Sequence, residues 1–104
     1  MKGTTALLAL ATMTTAGIAW ADAGEDMLKK DGCTACHAID KKVIGPAYKE
    51  VAAKYRGDAK AAAMLQEKVK KGGSGVWGQV PMPPNSQIGD ADIRTLVAYI
   101  LALK

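Results

Sequence analysis

The stretch CTACH, residues 33–37, contains both cysteines and the only histidine of this 104-residue chain. On one turn of helix, positions three and four apart are neighbours, so Cys33, Cys36 and His37 would present two sulfurs and an imidazole to one side. Four readings compete for such a set. A thiol redox centre sets Cys-x-x-Cys beside a strand–helix–strand unit, and no strand pattern flanks this one. A structural zinc site takes four ligands, whereas this run offers three and the chain has no second cluster. A plain disulfide leaves the histidine without a role. The fourth is covalent haem attachment, of which Cys-x-x-Cys-His is the signature. Each thiol adds across a vinyl group to make a thioether, and the adjoining imidazole reaches the iron from one side of the ring. Haem is the favoured occupant.

Upstream, residues 1–21 (MKGTTALLALATMTTAGIAWA) open with Lys2, continue as a small and apolar stretch and end on Ala19-Trp20-Ala21. A basic start, an apolar middle and a small-x-small close are the parts of a secretory signal peptide. The stretch is too short, and too broken by threonine, to read as a membrane anchor. The chain therefore divides into a signal peptide, 1–21, and one domain, 22–104, with cleavage expected after Ala21 and Ala23 as the next site. Covalent haem attachment takes place outside the cytoplasm, so the export signal and CTACH agree on a periplasmic location.

Cleavage leaves 83 residues (104 − 21) and, with Lys2 removed, lowers the formal charge from +4 to +3. That charge is too small and too scattered for nucleic-acid binding, and it modestly favours an acidic partner. No other apolar run is long enough for stable membrane insertion. A domain of this size gains only roughly 3–5 kcal/mol from its own core, and stable examples add a staple. This one lacks phenylalanine altogether and draws its large aromatics from Tyr48, Tyr55, Trp77 and Tyr99. A buried cofactor would fill the gap, with Met27, Leu28, Val51, Leu65, Leu96, Val97 and Ile100 packed against it.

Apolar spacing predicts an all-α domain of about four helices with no sheet. The first should cover Glu25 to Cys36, with Asp22 and Glu25 forming a capping box, and deliver CTACH at its end. The second should begin at Pro46 and bury Ala47, Tyr48, Val51, Ala52 and Tyr55 before Gly57. Asp58 is placed to cap a third, with Ala61, Met64, Leu65 and Lys68 or Val69 on its stripe before Gly72-Gly73. The last should start near Asp90 and bury Ile93, Leu96, Val97, Ile100 and Leu101. Between the third and fourth lie residues 72–89, eighteen residues with five glycines and three prolines. Ordered connections of that length are usually functional.

A single histidine excludes two-histidine ligation within one chain, so the other side of an iron needs another ligand or stays open. Met1 and Met13 belong to the export signal, and Met27 and Met64 read as core packing. Met82 differs, because Pro81, Pro83 and Pro84 stiffen the backbone around it and would present its thioether rigidly. Met/His ligation raises the reduction potential of haem relative to harder ligands.

These features together resemble class I cytochromes c, in particular the short bacterial group that donates electrons in the periplasm. The resemblance rests on GCTACHAID (32–40), GPAYKEVAAKY (45–55), KGGSGVWG (71–78) and VPMPPN (80–85), in family order. It implies a small monohaem fold with one haem c bound through Cys33 and Cys36, and His37 and Met82 as axial ligands. It also implies that the Pro46 carbonyl accepts from the His37 ring nitrogen that faces away from iron. Trp77 would donate to a haem propionate, Lys68 would lie near a propionate, and Asn85 would lie near the Met82 sulfur.

The implied function is one-electron transport by a monomeric, non-enzymatic carrier, between respiratory complexes and a terminal reductase or oxidase. Its partners would be redox proteins with acidic docking surfaces, such as a nitrite reductase, a terminal oxidase or a quinol-oxidising complex. Lys29, Lys30, Lys41, Lys42 and Lys49 flank the haem segment and would steer such partners at low salt, unless they are simply a solvated charged face. The alternative from another class is a haem protein whose Met82 dissociates, with peroxidase-like or gas-binding activity.

Overall fold

The computed structural model describes residue 3 and residues 16–104, so most of the expected signal peptide, residues 1, 2 and 4–15, lies outside the described residues. Four α-helices and one 3-10 turn follow in the order α1 (Ala16–Lys30), the turn (Cys33–Ala35), α2 (Tyr48–Lys54), α3 (Ala61–Lys71) and α4 (Asp90–Leu101). Among the described residues there is no strand, only two isolated backbone bridges, His37 with Lys42 and Gly73 with Met82. The expected all-α architecture is present.

Helix α4 is the element on which the others assemble, since α1, α2 and α3 all pack against it. Its buried residues, Ile93, Leu96, Val97 and Ile100, follow the three–four spacing of one helical face, while Asp90 and Asp92 occupy the first turn, where the helix dipole favours acids. The face serves two sides of the core. Leu96 and Ile100 join Leu28, Tyr48 and Val51 in one cluster. Ile93 and Val97 join Ile88 in another, and half-buried Leu65 touches both. Where α1 crosses α4, a Cβ on Gly24 would run into the Tyr99 ring, so only glycine allows this approach.

The helix boundaries depart from the sequence expectation in four places. α1 stops at Lys30 instead of reaching Cys36, because Gly32 adopts φ 76° and turns the chain out of the helix. It also begins at Ala16, across the expected processing point, so Asp22 and Glu25 fall inside the helix instead of at its start. α2 begins at Tyr48 behind an extended Ala47, two residues later than the expected start at Pro46. Asp58 Oδ1 accepts the Lys60 N–H at 2.9 Å, which closes the turn ahead of α3; the helix itself starts after Lys60 without a side-chain cap. Tyr55 and Leu101 are only half-buried, and Met64 is the one residue of the expected apolar stripes that is exposed. At 43 % exposure it faces outward, because α3 turns Ala61, Leu65 and Val69 inward at a spacing of four.

Candidate haem site

Although α1 ends early, the CTACH stretch still makes one tight turn. The Cys33 carbonyl accepts the N–H groups of both Cys36 (3.2 Å) and His37 (3.0 Å), which holds the two cysteines and the histidine on successive corners of it. Both cysteines are half-buried free thiols. Burial raises the pKa of Cys33 and the charge of Asp31 raises it further, against the lowering effect of a hydrogen bond from the Tyr48 hydroxyl. Tyr48 is itself shifted upward, first by burial and then by the neighbouring thiols.

The chain after the motif folds back on it. Ile44 N–H and Gly45 N–H donate to the Cys36 carbonyl at 3.1 and 2.7 Å. This return brings the Pro46 carbonyl to 2.8 Å from His37 Nδ1. A carbonyl only accepts, so Nδ1 is the donor in this bond and Nε2 is the ring nitrogen left to meet a ligand. Two further groups fix the imidazole plane. The Tyr48 ring stacks on it with centroids 4.9 Å apart and planes 23° from parallel. Gly45 lies so close that a Cβ there would collide with the ring. Pro46 thus stands before α2 because its carbonyl is committed to the histidine.

The other wall is the 72–89 connection. Its base is closed by a reciprocal backbone pair, Gly73 N–H to Met82 O (3.0 Å) and Met82 N–H to Gly73 O (2.8 Å). Gly72, at φ 72° and ψ −167°, occupies a region that is essentially glycine-only, and a Cβ there would collide with the Met82 carbonyl. Asn85 donates from its side-chain amide to the carbonyls of Val69 (3.1 Å) and Pro83 (3.3 Å), and its backbone N–H also bonds Val69 O (3.1 Å). The Lys68 ammonium sits over Gly73. Trp77 is 39 % exposed, with the Lys54 ammonium 5.5 Å from its ring centroid.

All eight residues expected at the site, Cys33, Cys36, His37, Pro46, Lys68, Trp77, Met82 and Asn85, line one cavity of about 330 Å³. That volume falls within the range of cofactor sites. Six of the seven apolar residues expected against a ring also line it: Leu28, Val51, Leu65, Leu96, Val97 and Ile100. Met27 is the exception and packs instead on the cluster around Leu28. Among the described residues no group of three His, Cys, Asp or Glu side chains could hold a metal ion unaided. The lining suits a flat apolar group, with two thiols to bond its edge and one imidazole nitrogen available to a metal. Haem fits that donor set.

Sequence reasoning did not assign Gly45, Tyr48 or Gly72 to the site. Tyr48 was legible as buried, and it is, but nothing in helical spacing tells a core tyrosine from one stacked on a ligand. Gly45 and Gly72 could have been singled out as glycines adjoining the segments that carry His37 and Met82.

The profile of the cytochrome c family matches residues 21–104. Cytochrome c-551 of Allochromatium vinosum is 53 % identical over 96 residues, which span 92 % of this chain and 100 % of that protein. Cytochrome c-551 of Pseudomonas aeruginosa is 50 % identical over 98 residues, 94 % of this chain and 92 % of that one. The crystal structure of Nitrosomonas europaea cytochrome c552 superposes with a TM-score of 0.75 at 52 % identity, covering 77 % of this chain and 99 % of that one. The chain belongs to the cytochrome c family, as a small class I electron-carrying cytochrome with one covalently attached haem c.

Proposed function

We propose that this chain is a soluble, monomeric one-electron carrier of the periplasm, with Cys33 and Cys36 bonded to the haem and His37 and Met82 as its axial ligands. Bound in the cavity, haem c supplies an iron that alternates between ferric and ferrous states. The observation that carries the reading is the orientation of His37: its Nδ1 donates to the Pro46 carbonyl at 2.8 Å, which leaves Nε2 for iron in a cavity that Met82 also lines. The Pro46 carbonyl fixes the orientation of the imidazole and raises its basicity. The backbone pair at Gly73 holds Met82 by its main chain, so the thioether keeps its place when the iron changes charge. Trp77 and Lys68 serve the propionates. Asn85 ties the Met82 segment to the end of α3, and by fixing that segment it tunes the thioether.

No helix among the described residues is long and apolar enough to cross a membrane, and the export signal supports a periplasmic location. Ile44, Val76 and Val80 line the cavity while each remains more than half exposed. Together with the lysines around the motif, they offer an apolar contact within a basic rim to redox partners with acidic surfaces, such as a reductase, a terminal oxidase or a quinol-oxidising complex.

Carbon monoxide tests the sixth ligand. The ferrous protein at neutral pH should resist it, and Met82→Ala should bind it readily. A wild-type protein that takes up the gas as readily as the variant would refute Met82 ligation and favour a gas-binding or peroxidase-like protein.

A further inference from the structure

Lys54 ends α2 and has no part in the roles above. Its ammonium stands over two aromatic rings at once, 5.8 Å from the centroid of Tyr55 and 5.5 Å from that of Trp77. Both distances lie within the roughly 6 Å over which a cation is attracted to a ring face. Neither ion pair among the described residues involves Lys54. Tyr55 is its chain neighbour and anchors the ammonium from the helix side, being half-buried against the core. Trp77 belongs to the ligand loop, whose base is the Gly73–Met82 pair and whose tip is turned by Gly75 N–H donating to Gly78 O at 2.8 Å. Lys54 thus ties the outer part of that loop to α2, far along the chain from its base.

We propose that Lys54 is a positioning residue for Trp77: it holds the indole at the cavity rim and places a positive charge beside the haem edge that the indole serves. This rests on the reading of Trp77 as a propionate donor. A cation there opposes the negative charge gained on reduction and so favours the ferrous state. An arginine would do the same, since a guanidinium stacks on aromatic faces and stays charged.

The test uses the haem-loaded full-length mature protein in low salt, with Lys54→Met, Lys54→Arg and Trp77→Phe. Two quantities are read: the ferrous-to-ferric ratio at a fixed ambient potential, and the exchange rate of the Trp77 indole N–H. In Lys54→Met, loss of the ring contact should speed indole exchange about two- to fivefold. Loss of the charge should lower the ferrous-to-ferric ratio about twofold. Lys54→Arg should restore both, which a role in folding alone would not require. An unshifted Lys54→Met protein, or a failure of Lys54→Arg to restore either readout, beside a shifted Trp77→Phe protein, overturns the assignment of Lys54 alone. A Trp77→Phe protein with the wild-type ratio overturns the propionate reading and the Lys54 proposal with it.

Discussion

Gly45→Ala should damage the histidine side of the site without touching either ligand. Gly45 does not use the left-handed backbone region, so alanine meets no backbone strain there. The obstacle is the ring: the added carbon would lie 2.8 Å from His37 Nδ1 and 2.9 Å from Nε2, distances real Cβ atoms do not adopt. The imidazole cannot give way freely, because Tyr48 stacks on it and Pro46 holds its proton.

Overpacking of this kind costs about 1–3 kcal/mol. Lengthening the 2.8 Å bond to Pro46 forfeits about 0.5–1.5 kcal/mol more. Against this, alanine restricts the unfolded chain and returns about 0.4–1 kcal/mol. The net loss centres near 2 kcal/mol, or a fall of about 8–16 °C in Tm for a domain of this size. Thermal unfolding of the holoprotein measures the first quantity, and the His37 Nδ1–H resonance of the ferrous protein reports the second.

Gly57→Ala is the control. At φ 81° with nothing within 4 Å, it should cost a similar about 1–2 kcal/mol through backbone strain while leaving the histidine proton where it was. A Gly45→Ala protein as stable as wild type, with an unmoved Nδ1–H signal, would refute the account of how the imidazole is held.

On the other wall, Gly72→Ala should cost about 1–3 kcal/mol through its glycine-only backbone. Because its Cβ would press on Met82 O, the ferrous variant should also bind carbon monoxide at neutral pH; stability loss without gas binding would separate the loop base from the ligand. At the start of α4, Lys70 holds Asp90 through a hydrogen bond of 2.8 Å and keeps its carboxyl below the ordinary 3.8. A depressed carboxyl pKa adds stability above the ordinary value, and that stability is lost as pH falls through the depressed one. Any Tm advantage of wild type over Asp90→Asn should therefore be present at neutral pH and vanish in acid or high salt, since both partners are exposed.

The legible parts of this molecule were those written in periodic spacing or in fixed chemistry. The α4 face emerged from three–four spacing, and the Cys33–Cys36–His37 set emerged from the geometry a haem edge demands. Met82 was singled out as a candidate ligand because prolines restrict backbone whatever surrounds them, and it lines the cavity. The end of α1 was misjudged because CTACH continues a plausible helix, and only the left-handed turn at Gly32 diverts it. Met64 was misjudged because spacings of three and of four share Ala61, and tertiary contact with Ile88 chose the second. The grip of Tyr48 and Gly45 on the imidazole joins residues across a reversed chain, and nothing local encodes such a meeting.

The reciprocal pair at Gly73 and Met82 bears on assembly as well as on redox work. Two backbone bonds contribute a net of about 1–3 kcal/mol. Without haem, that margin would leave the pair open in between about one molecule in six and about one in a hundred and sixty. A loop base closed this lightly should open without global unfolding, and amide exchange at Gly73 and Met82 should slow sharply on haem binding if Met82 ligates the iron as proposed.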